Sequence, residues 1–123
     1  ARFALDKIQE AAKSGRIPAA ELTSYASGLP AMIHMNGLGQ AAAFYRSKAG
    51  ESPAYRYLYD LLSEWLCRDD QPFRGHSDLL AGITESDMEA YLLAQAEAQA
   101  LMDWVKKLAK AFMGEGGEQG GGQ

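Results

Sequence analysis

The sequence holds one cysteine and two histidines in 123 residues, which leaves little material for catalysis or metal binding. Cys67 has no second cysteine with which to form a disulfide or a redox pair. Two residues after Trp65 on an apolar helix, it reads as a small buried hydrophobe rather than a reactive thiol. No CxxC or HExxH spacing occurs, and no glycine-rich loop runs into Lys-Ser/Thr, so neither a zinc site nor a P-loop is expected. A hydrolytic triad would have to recruit His34 or His76. His34 follows Ile33 near the end of an apolar helix and reads as a capping or partly buried side chain. His76 adjoins Ser77 and Asp78, but neighbours in sequence do not supply triad geometry. Asp69-Asp70 reads as a solvated turn. The expectation is a protein that is not an enzyme and uses no cofactor, metal or small-molecule substrate. No apolar run approaches the roughly 20 residues that span a bilayer. The opening ARFALDKIQEAA carries Asp6 and Glu10 and lacks a signal peptide's apolar region, so no membrane partner and a cytoplasmic location are expected.

What is present is helix-forming sequence. The hydrophobic fraction is 47%, apolar residues recur at helical spacing nearly throughout, and no segment alternates with period two. The chain length suits one domain. The predicted fold is therefore all-α: a single-domain bundle over 1–113, of about five main helices and one short turn. A flexible glycine-rich tail is expected at 114–123 (GEGGEQGGGQ), whose composition cannot pack a core.

The elements follow from local signals. Ala4, Ile8, Ala11 and Ala12 make a first helix ended by Ser14-Gly15. Pro18 fits a first-turn position, and Leu22, Tyr25, Ala26, Leu29 and Ile33 form one stripe that continues past Pro30, which should kink the helix without ending it. Leu38, Ala41, Ala42 and Tyr45 form a third helix, with Phe44 beside them. Ser52 as N-cap and Pro53 at the first helical position start a fourth, whose buried face is Tyr55, Leu58, Leu61, Leu62, Trp65 and Leu66. Residues 68–77 form a polar loop, and 78–83 at most one helical turn. Thr84, with Asp87 three residues on, resembles a capping box for a last helix of about 28 residues reaching Met113. Its expected stripe is Met88, Tyr91, Leu92, Ala98, Leu101, Val105, Leu108 and Phe112; acids near its start and Lys106, Lys107 and Lys110 near its end suit the helix dipole, with RNA contact the other reading of the three lysines.

Formal net charge is −4, but it is unevenly spread: residues 1–56 carry seven Lys/Arg against four Asp/Glu, and 57–123 five against twelve. Attraction for a phosphate backbone therefore belongs to the first half. Within it, LPAMIHMNGLGQAAAFYRSKA (29–49) sets two glycines in an apolar turn. Asn36 and Gly37 tolerate the left-handed conformation that ends a helix, and Leu38-Gly39-Gln40 restarts the chain. The apolar flanks imply a packed corner at which Gly39 admits a close neighbour.

This segment, Tyr25-Ala26-x-x-Leu29-Pro30-Ala31-Met32-Ile33-x-x-Asn36-Gly37-Leu38-Gly39-Gln40-Ala41-x-Ala43-Phe44 with Lys48, resembles the small all-helical subunit of the type III-B CRISPR RNA-silencing complex, the Cmr complex. Tyr55-x-x-Leu58-Tyr59-x-x-Leu62-x-x-Trp65-Leu66, Asp78-Leu79-Leu80 and Glu97-Ala98-x-x-Leu101-x-x-Trp104 extend the likeness, in one order, over nearly all of 4–113. The resemblance implies a non-catalytic subunit in antiviral defence. It would stack with copies of itself, contact other Cmr subunits, and help line the channel where guide and target RNA pair. Where members carry basic residues before the Leu-Pro, this chain has Ser27-Gly28, so the expected RNA contacts are Lys13, Arg16, Arg46, Lys48 and Arg56. The alternative is a stand-alone helical adaptor or homodimer that binds a partner helix. A third class, a small enzyme, would need His34 and a carboxylate to converge in a pocket.

Overall fold

A computed structural model describes residues 1–114. Its elements are α1 (Arg2–Ser14), α2 (Ala19–Lys48), α3 (Pro53–Leu66), α4 (Leu79–Glu85), α5 (Met88–Ala109) and a π turn (Lys110–Gly114), with no strand among the described residues. The expected tail lies outside them apart from Gly114.

The sequence signals place most boundaries. Gly15 caps α1 in the left-handed conformation, and the Ser52 side chain accepts from the Ala54 N–H at the start of α3, with Pro53 at the first helical position. Phe3, Ala4, Ile8 and Ala11 of α1 are buried, whereas Ala12 is exposed. Leu22, Ala26, Leu29 and Ile33, then Leu38, Ala41, Ala42 and Tyr45, line the core from the two arms of α2. The chain stays helical through Pro30 and departs only at Gly37, with φ 88° and ψ 159°. That conformation has positive φ but not the left-handed helical ψ expected of the corner, and Asn36 keeps negative φ. It is open essentially to glycine alone.

A restarted helix leaves its first N–H groups without intrahelical partners. Here α5 supplies them. The Leu38 N–H donates to Gln95 Oε1 at 2.8 Å and the Gly39 N–H to Tyr91 Oη at 2.9 Å, while Gln99 Nε2 donates to the Pro30 carbonyl at 2.9 Å. Tyr91, Gln95 and Gln99 recur every four residues and so share one face of α5. A Cβ added at Gly39 would lie 3.4 Å from Tyr91 Oη and 3.8 Å from Ile83 Cγ2, which is the close approach the two-glycine turn implied.

The second half of the chain departs from expectation in three places. The connector is a seven-residue helix, α4, whose N-cap Asp78 accepts from the Ala81 N–H at 3.0 Å. Thr84 lies inside that helix and donates back to the Leu80 carbonyl, while Asp87 is the N-cap of α5 and accepts from Ala90 N–H at 2.9 Å. The last α-helix therefore starts later and has 22 residues. Its buried line is Ala94, Ala98, Leu101, Met102, Val105 and Ala109, and Met88, Leu92 and Phe112 are exposed. Finally, the polar loop has an apolar anchor: Phe73 is fully buried against Gly82, where an added Cβ would sit 2.5 Å from its ring.

Two substitutions test these packing sites. Gly39→Leu forces Tyr91 away from its hydrogen bond and should lower stability by about 1–3 kcal/mol, the usual overpacking range; an unchanged thermal midpoint would show the corner to be loose. Gly82→Ala keeps helical backbone but collides with Phe73, so urea unfolding should show a loss at the upper end of that range, about 3 kcal/mol.

Candidate nucleic-acid interface

The five basic residues fall into separate settings. Lys13 is exposed on the last turn of α1. Arg16 follows Gly15, its N–H donating to Ser14 Oγ at 3.1 Å. Packing of α1 beside α3 brings Arg16 and Arg56 to one open cleft of about 480 Å³, shared with Glu10, Ser14, Tyr57 and Asp60. Forty positions separate the two arginines, and no local signal pairs them. Arg46 and Lys48 are two residues apart on α2, about 200° around its axis, so they point to different sides. The five therefore do not make one continuous stripe.

Their partners differ as well. Arg56 Nε donates to both Asp60 oxygens, at 3.0 and 3.2 Å. Lys48 Nζ lies 3.7 Å from Glu51 and 5.6 Å from the centre of the Phe44 ring. Lys13, Arg16 and Arg46 form no ion pair among the described residues. Exposed pairs such as Arg56–Asp60 contribute at most about 1 kcal/mol, so a phosphate can compete for the guanidinium. The cleft also carries the Glu10 and Asp60 carboxylates, which restrain anion binding by a lone molecule.

Polar contacts tie down the elements around the cleft. Tyr57 Oη donates to the Lys7 carbonyl at 2.7 Å, and burial, with Glu10 nearby, pushes its phenol pKa up. Burial alone would lower Lys7, but its pairs with Glu64 and Glu10 outweigh that and hold the ammonium above the ordinary lysine value. On the far side of α3's first turn, Ser52 Oγ donates to Glu21 Oε1 at 2.7 Å. Tyr25 and Tyr55 stack with ring centres 3.9 Å apart, and burial chiefly raises the Tyr25 phenol.

The groups weighed for catalysis lie apart. His34 is exposed on α2, neither capping nor partly buried as its sequence setting suggested. His76 Nδ1 lies 3.2 Å from Glu85 Oε1, and among the described residues no hydrogen bond joins its ring to Ser77 or Asp78. Asp69 and Asp70 are exposed, as expected of a solvated turn. Cys67 caps the end of α3 half-buried rather than in the core, and that burial raises its thiol pKa. Among the described residues no three His, Cys, Asp or Glu side chains gather as a metal site would need, and no helix is long and apolar enough to cross a membrane.

Sequence reasoning missed Gln95 and Gln99. Their signal was the four-residue recurrence Tyr91, Gln95, Gln99 beside the buried line of α5.

Comparison with known proteins covers nearly the whole of this architecture. A family model described as CRISPR-associated protein (Cas_Cmr5) matches residues 1–112. The chain is 32% identical over 116 residues to the CRISPR system Cmr subunit Cmr5 of Thermus thermophilus, covering 94% of this chain and 93% of that protein. An X-ray crystal structure of a CRISPR-associated Cmr5 family protein from the same species superposes with a TM-score of 0.74 at 29% identity, covering 91% of this chain and 92% of that one. Family, sequence and fold agree with the likeness carried by the Asn36–Gln40 corner and its flanking helices: the chain belongs to the Cas_Cmr5 family of CRISPR-associated proteins, the small subunits of the type III-B Cmr complex.

Proposed function

We propose that this protein is a non-catalytic small subunit that stacks with copies of itself in a type III-B ribonucleoprotein and helps line the channel for guide and target RNA. The observation that carries the reading is the match to a CRISPR-associated family, which runs from residue 1 to residue 112. The contacts to phosphate are assigned to Lys13, Arg16, Arg46, Lys48 and Arg56. Of these, Arg16 and Arg56 have the strongest support, because they meet at one cleft and guanidinium suits bidentate contact with a phosphate. Each neutralised phosphate adds affinity by releasing counterions, and stacked copies sum small contributions along one strand. With a net charge of −4, an isolated molecule should bind RNA weakly.

Charge reversal at the five residues, one at a time, tests the assignment. At least one variant, with Arg16→Glu or Arg56→Glu foremost, should weaken target-RNA capture by the assembled complex, by a factor that is largest at low salt and shrinks as salt rises. Stability should change by no more than about 0.5 kcal/mol, as is usual for surface substitutions. If all five variants assemble and capture RNA like the parent, the phosphate contacts are misassigned and the subunit acts as a spacer. Nuclease activity that tracked His34 in a clean preparation would overturn the non-catalytic reading.

A further inference from the structure

The outward side of α5 carries apolar residues where a solvated helix normally carries charge. Leu93, Ala96, Ala100 and Trp104 are all exposed there. Their spacing of three and four residues makes one line along the helix, turned away from the buried Ala94, Ala98, Leu101 and Val105. Glu89 begins this line and Lys107 ends it. Both are exposed, and neither forms an ion pair among the described residues.

The order along the line is acid, large apolar, small, small, large apolar, base. Such an order is complementary to itself read backwards. The midpoints between 89 and 107, between 96 and 100 and between 93 and 104 coincide to within about half a residue, less than about 1 Å along the axis. One two-fold axis through that point therefore satisfies the whole line. It sets Glu89 against Lys107 of a second copy, Leu93 against that copy's Trp104, and the alanines at the crossing, where small side chains let helices approach. Residues 115–123 cannot fill the line themselves, because they contain no apolar side chain.

We infer that two copies of this chain pair antiparallel through the outer face of α5. The interface is isologous and closes on itself, so any longer stack uses other faces. It is independent of the cleft holding Arg16 and Arg56, which α1 and α3 build. The contact is confined to one face of one helix, from Glu89 to Lys107, or about 27 Å of axis, and so narrow an interface suits weak association. Asp103, exposed beside the line and near the level of the second copy's Leu92, weakens the pair further. The dimer is consequently a weak one.

Sedimentation equilibrium of the RNA-free protein, from about 1 µM to about 1 mM, tests this without reference to RNA binding. The average mass should rise towards twice the monomer and stop there. Trp104→Glu should abolish the rise. Glu89→Lys and Lys107→Glu each create two like-charge contacts and should weaken pairing by about tenfold, whereas the double variant E89K/K107E should restore it. The two charge variants alter exposed residues, so a folded sample is assured even if Trp104→Glu disturbs the helix. A monomer at every concentration, mass growing beyond a dimer, or a double variant no better than the singles would overturn the inference.

Discussion

The break in α2 dictates how the remaining helices are arranged. A helix that stops at Gly37 and restarts at Leu38 presents N–H groups inside the protein, and buried donors without acceptors cost about 1–3 kcal/mol each. Tyr91 and Gln95 accept from two of them, and Gln99 donates to the Pro30 carbonyl on the other arm. These three contacts fix the register of α5. A shift by one residue would turn its side chains by about 100° and strip all three away. Fully buried Ala94 and Ala98 on α5, with Ala41 and Ala42 on α2, keep the core between the two longest helices thin enough for such contacts. The glycine at 37 is therefore a requirement of backbone conformation, and the glycine at 39 a requirement of space.

A second clip holds the connector. Phe73 enters the core from an otherwise polar loop and packs closely against Gly82, while the Tyr59 hydroxyl donates to Asp78 Oδ2 and accepts from the Leu80 N–H. The Ser63 hydroxyl accepts from the Leu79 N–H. The start of α4 is thus tied to α3 by side chains four positions apart on one face, the same device by which α5 is tied to α2. Two long-range polar ladders, each aimed at a helix start, set the positions of elements whose apolar faces alone would permit sliding.

Helix class and most helix starts were legible because their causes are local. Ser52-Pro53 carries its own capping chemistry, and the alternation of buried and exposed turns in α2 is written in its spacing. The start of α5 was not legible. Thr84 and Asp87 offer equivalent capping oxygens three residues apart, and the choice falls to Asp87 because Gly82 must stay helical beneath Phe73, which carries α4 through Thr84. The exposure of Met88, Leu92 and Phe112 was hidden for a related reason. Helix α5 has apolar residues on two sides, and periodicity does not say which side meets α2; the polar line of Tyr91, Gln95 and Gln99 decides it. The meeting of Arg16 with Arg56 depends on how α1 packs beside α3, a tertiary relation that no window of sequence contains.

These constraints also bear on how a chain with so few reactive groups would serve the role proposed for it. Its polar side chains are largely committed to holding backbone: tyrosine and glutamine to broken or starting helices, serine and aspartate to caps. What remains is basic side chains on the surface, of which Lys48 and Arg56 lie near carboxylates in weak exposed pairs. Arg56 illustrates the consequence. Its exposed pair with Asp60 holds the guanidinium at the cleft, and on the proposed reading a phosphate, with its extra charge and matching geometry, takes the place of that carboxylate. On the proposed reading, a site built this way would discriminate poorly and bind weakly in one copy, and selectivity would come from how many copies line up along a strand. Precision in such a protein lies in the rigidity of the scaffold that sets the spacing between weak contacts, which is where the ladders on α2 and α4 act.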